Sequence, residues 1–152
     1  HSMTLPILVV TGEPAWTMQA LHLAAAMARE ADAPIILVEM IPASHIQSLG
    51  AEPDETLLPL ARMESLRQYA DAVESYGITV TVATFQCADY LGGLLSACEQ
   101  ASATAVFAPA PGGALRFLAA ARLWYLRRAL RRPLFTLDDG RAAVWQPRPL
   151  GA

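Results

Sequence analysis

Leu5-Pro6-Ile7-Leu8-Val9-Val10-Thr11-Gly12-Glu13-Pro14 decides the fold. Its apolar run, Leu5–Val10, does not alternate with polar residues, which suits a central strand buried on both faces. Thr11-Gly12-Glu13-Pro14 then carries turn chemistry. From Trp16 the apolar positions Trp16, Ala20, Leu23, Ala24 and Met27 recur at helical spacing, with Gln19, His22 and Arg29 on the opposite side. Strand, tight turn, helix is the opening of a parallel α/β domain.

The same alternation runs on along the chain. Ile35–Ile41 is a second buried strand, stopped by Pro42, and residues 43–59 read as a long loop of the kind that is usually functional or mobile. A helix is expected from Leu60 to Tyr76, with Met63, Leu66, Ala70 and Val73 in one stripe and Gly77 as its stop. Ile78–Phe85 alternates Ile78, Val80 and Val82 with Thr79 and Thr81, as a half-exposed strand near a sheet edge does. Asp89 can cap a short helix whose apolar face is Leu91, Leu94, Leu95 and Cys98. Thr104–Ala108, a helix from about Ala114 to Arg131, and Leu134–Leu137 complete five strands. Because crossovers between parallel strands are right-handed, helices cover both faces. Ligands in such sheets bind at the carboxyl ends of the strands, so residues 11–15 and 109–113 are the expected site.

Composition narrows the function. The chain has 152 residues, enough for one domain with its own core. His1-Ser2-Met3 reads as a remnant of expression, and the fold is expected over 4–137, with 138–152 as a linker or dimer arm. No apolar stretch approaches the ~18–20 residues of a membrane span, and no signal peptide is visible, so a soluble, cytoplasmic protein is expected. A net charge of −3 disfavours nucleic acid. All eleven basic residues are arginine, and six (Arg116, Arg122, Arg127, Arg128, Arg131, Arg132) crowd one segment, which reads as a solvated basic face. Cys87 and Cys98 form no CxxC pair, and Cys98 is expected to be a buried, inert thiol. His22 and His45 have no partners at metal-ligand spacing, so no metal site is expected.

From Leu5 to Leu137 the chain resembles the universal stress protein family. The resemblance rests on Ile7–Gly12, on Met40-Ile41-Pro42, on Asp89 to Phe107, and on Tyr125-Leu126-Arg127-Arg128 followed by Arg132–Leu137. It implies a three-layer α/β/α sandwich, Rossmann-like and nucleotide-alpha-hydrolase-like, with a five-stranded parallel sheet of order 3-2-1-4-5. It also implies a homodimer paired through the last strand, Leu134, Phe135, Thr136 and Leu137.

ATP-binding members of that family carry an Asp at the end of strand one and a Gly-x-x-Gly, nine residues, Gly-Ser/Thr pattern after strand four. Aligned on the Arg-rich segment and Pro133, these positions fall here on Thr11 and on Phe107, Ala110, Ala120 and Ala121. Ala110 puts a Cβ where a phosphate would approach, and Pro109 and Pro111 lack N–H donors. The sequence therefore predicts a non-catalytic binding or regulatory module with no cofactor, ATP or AMP being disfavoured. Its candidate ligand-binding residues are Thr11, Gly12, Met40, Phe107, Ala110, Gly112, Gly113 and Arg116. Two other readings stand beside it. One is an ATP- or AMP-binding member with a diverged loop. The other is an anion or small-molecule receptor that uses the helix start from Gly112-Gly113 to Arg116.

Overall fold

The computed structural model describes residues 4–42, 60–109, 116–138 and 141–144. Its elements run β1 (Ile7–Val10), α1 (Pro14–Ala31), β2 (Ile35–Pro42), α2 (Leu60–Glu74), β3 (Val80–Cys87), α3 (Tyr90–Ala101), β4 (Ala105–Phe107), α4 (Arg116–Leu130) and β5 (Leu134–Phe135). Two further strands, β6 (Leu137–Asp138) and β7 (Arg141–Val144), form an antiparallel hairpin. The first five strands make one parallel sheet of order β3-β2-β1-β4-β5.

Side-chain alternation along the strands builds two cores. Ile7, Val9, Ile35, Leu37 and Phe107 face α1 and α2 on one side. Leu8, Val10, Val38, Val106 and Leu134 face α3 and α4 on the other. β1 is buried at every residue, as an uninterrupted apolar run requires. Each fully buried Leu, Ile or Phe stabilises by about 1.5–3 kcal/mol, so these two layers hold the sheet.

Local chemistry starts and stops the helices. Pro14 sits at the start of α1, where its missing N–H is not needed. Asp89 accepts from Gly92 N at 2.7 Å to cap α3. Asp32, Ser102 and Arg131 take left-handed backbone at the ends of α1, α3 and α4.

Several expected boundaries move. α1 buries Thr17, Ala20, Leu21, Ala24, Ala25 and Ala28, while Trp16, Leu23 and Met27 flank that stripe and are only partly buried. The alanines let the helix lie close to the sheet and push the larger side chains to its margins. β3 begins two residues later than expected and runs to Cys87, because β2 stays paired with it as far as Pro42. Leu134–Leu137 is not one strand. Only Leu134 and Phe135 pair with β4, and Leu137 already belongs to the hairpin. α4 ends at Leu130, so Arg131, expected as its last residue, lies just beyond it in left-handed backbone. No helix among the described residues is long and apolar enough to cross a membrane.

Candidate functional site

β1 leaves the sheet between β2 and β4, so the carboxyl ends of these three strands bound the crevice at the point where the strand order reverses. Thr11 opens the connection to α1. Its N–H donates to Val38 O at 3.0 Å, and its hydroxyl donates to Glu39 Oε1. Arg62, from the first turn of α2, reaches the same oxygen with Nη2 at 2.7 Å and Nε at 3.2 Å. Thr11, Glu39 and Arg62 thus form a closed network tying β1, β2 and α2 together.

Gly12 is held in place by its neighbours. Its N–H donates to Thr17 Oγ1 at 2.9 Å, and Thr17 N donates back to Glu13 O at 2.8 Å. Thr17 is fully buried, so this hydroxyl works inside the protein rather than on a ligand. A Cβ on Gly12 would lie 3.2 Å from Pro109 Cγ and 3.4 Å from Trp16 Cε3. The loop after β1 and the end of β4 are therefore in contact across the crevice. Pro109 is fixed in turn by Tyr90, whose hydroxyl donates to Pro109 O at 3.2 Å. Burial pushes the Tyr90 phenol well above its ordinary range, so it stays a donor. The Trp16 indole N–H is buried beside Gly12 and has no partner among the described residues.

The other expected positions divide in three ways. Met40 packs from β2 onto α3, where a Cβ on Gly93 would come within 2.9 Å of Met40 Cε and 2.4 Å of Cys87 Cβ. Phe107 is a core residue, stacked on Phe135 with ring centroids 4.7 Å apart. Ala110, Gly112 and Gly113 lie outside the described residues, and Arg116 begins α4. Thr11 and Gly12 do come together at the crevice. The Glu39–Arg62 pair was missed, although a single acidic residue inside the apolar run Ile35–Ile41 was a signal for it.

Neither thiol is poised for chemistry. Cys98 is fully buried, and burial raises its pKa to about 11 against the lowering effect of Arg132. Burial and the Asp89 charge raise Cys87 as well. No cluster of three metal-ligating side chains occurs among the described residues.

No family model and no curated protein matches the sequence. Solved structures do. A universal stress protein from Archaeoglobus fulgidus superposes with a TM-score of 0.60 at 14% identity, over 86% of this chain and 90% of that one. The chain has the universal stress protein fold. A universal stress protein in complex with cAMP aligns with a TM-score of 0.62 at 13% identity, over 90% of this chain and 98% of that one. The Archaeoglobus fulgidus protein in complex with dAMP aligns at 0.57 and 16% identity, over 87% and 96%. The expected sheet order of the universal stress protein fold is thus met strand for strand.

Proposed function

We propose that this chain is a non-catalytic binding or regulatory module of the universal stress protein family that does not hold ATP tightly. The observation that carries this reading is the close approach of Pro109 and Trp16 to Gly12, which sets apolar side chains of the chain itself beside the loop after β1. Two further features support it. The Thr11 hydroxyl proton is committed to Glu39, leaving that hydroxyl only as an acceptor toward a ribose. Pro109 offers no N–H to a phosphate. The reading as a non-enzyme is supported by the raised pKa of both thiols, which leaves neither as a ready nucleophile.

Thermal unfolding with saturating ATP and Mg²⁺ tests this. A ligand at about 100 times its dissociation constant stabilises by about 2.7 kcal/mol, a shift of several degrees for a domain of this size. The expected shift is zero, and a saturable shift of several degrees overturns the reading.

A second reading is favoured by the fold neighbours solved with cAMP and dAMP: an adenine mononucleotide in the same crevice, without a phosphate chain. Here the buried Trp16 indole N–H would be the donor that gains a partner. Quenching of tryptophan fluorescence by AMP or cAMP, lost in Trp16→Phe, would support it. Unchanged fluorescence at millimolar nucleotide would remove it.

A further inference from the structure

Gly12 and Pro109 stand at one end of the sheet, and α3 and α4 finish at the other. Each of these helices returns the chain to the amino end of the next parallel strand, β4 or β5, so their last turns meet there. Between them lies an open groove of about 620 Å³. It is lined by Leu95, Cys98 and Glu99 from α3 and by Arg128, Arg131 and Arg132 from the end of α4 and the residues after it.

Two helix C-termini would ordinarily repel an anion, because their last carbonyls carry partial negative charge. Arg132 removes that obstacle. Its Nε donates to Leu130 O at 3.0 Å and its Nη1 to Cys98 O at 2.9 Å, so one half-buried guanidinium caps both helices. A guanidinium has five N–H donors, and these two bonds do not use them all.

The other two arginines are exposed, and neither has an ion pair with a carboxylate among the described residues. Arg128 lies over the Trp124 ring at 5.4 Å, which orients its guanidinium without neutralising it. Arg131 takes left-handed backbone at φ 56°, which glycine would adopt without strain. A charged side chain is thus kept where the backbone favours none. Three guanidinium groups against the single carboxylate of Glu99 give the lining a charge of about +2, in a chain whose net charge is −3.

We propose that this groove binds a small organic phosphate monoester. Arg128, Arg131 and Arg132 hold the phosphate, and Glu99 accepts from a hydroxyl or amino group on its body. The dianion matches the charge of the lining, and planar guanidinium forks pair with phosphate oxygens two at a time. The volume is more than a bare phosphate needs and falls within the ~300–1,000 Å³ of small-ligand sites, so an organic body has room beside Leu95 and Cys98. The site is independent of the crevice, since Thr11, Gly12 and Pro109 lie at the carboxyl ends of the strands.

Titration of the isotope-labelled full chain with glucose 6-phosphate at low salt, followed by amide chemical shifts, tests this. Saturable shifts are expected at Glu99, Arg131 and Arg132, with none at Gly12 and none anywhere with glucose. Arg131→Gly is the decisive variant, because glycine suits left-handed backbone and the fold is retained. It should weaken binding roughly tenfold, and Arg128→Glu at least as much. Any one of four results would overturn the proposal. They are no saturable shift at millimolar ligand, shifts confined to Gly12 and its neighbours, an Arg131→Gly chain that binds as well as wild type, and tighter binding of a phosphoserine peptide than of the free ester.

Discussion

The carboxyl ends of β1 and β4 and the outer edge of β3 are opposites in how the chain uses its own atoms. At the strand ends Pro109, Trp16 and Gly12 are in contact and Thr11 is bonded to Glu39. Along β3, Val82 and Met63 stay exposed and the outward backbone groups of Val80, Val82 and Thr84 meet no strand among the described residues. Open α/β sheets ordinarily receive ligands at the first place. In this chain Pro109 and Trp16 crowd the first place, and the second has no further strand among the described residues. The contrast teaches that a fold fixes where a site can be, while a few side chains fix whether it is one.

Four tests, two of them paired substitutions, can break or sharpen this contrast. Phe135→Ala removes a buried ring stacked on Phe107 beneath the crowded end and should cost about 3–5 kcal/mol by urea denaturation. Val82→Ala, on the open edge, should cost well under ~1.5 kcal/mol in the monomer; equal losses would erase the difference between the two regions.

Gly93→Ala comes next. Its new methyl would lie 2.4 Å from Cys87 Cβ, forcing α3 away from the end of β3 at about 1–3 kcal/mol. Gly12→Ala meets Pro109 only at 3.2 Å and should cost less, provided the loop gives by a few tenths of an ångström. A larger penalty at Gly12 would mean that the crevice is more rigid than the β3 anchor.

Arg62→Ala leaves Glu39 with Thr11 alone in a partly buried setting and should cost about 1 kcal/mol, since both partners of the ion pair keep some access to water. Nothing measurable would show that the network does not brace the crevice.

The last test is alkaline. Cys98 in the folded protein is raised from 9.0 to about 11, so its contribution is complete below pH 9 and is lost as pH climbs toward 11. Tyr90 and Cys87 are shifted in the same direction. Cys98→Ala should therefore flatten part of the decline in stability over that window, and an unchanged slope would contradict a buried neutral thiol.

What could be read from the sequence follows from which residues make a strong physical signal. The unbroken run Ile7–Val10 and the alternation in β3 identify a central and an edge strand, because burial on two faces or one leaves different patterns. The rotation of α1 was partly hidden: Ala20 and Ala24 stood in the expected stripe, whereas Ala25 and Ala28, buried as well, give little hydropathy contrast. β5 was overestimated because apolar character continues through Leu137, whereas pairing depends on β4, which has only three residues. At the crevice, Thr11 and Pro109 were legible as departures from a nucleotide-binding pattern. Their contacts were not, because Glu39, Arg62, Trp16 and Tyr90 come from four distant elements that only the fold brings together.

Isothermal titration of the wild-type chain with Mg·ATP bears most directly on the crowded crevice. The contact of Pro109 and Trp16 with Gly12 predicts no saturable heat at millimolar nucleotide, and a one-to-one isotherm with a micromolar dissociation constant would contradict it.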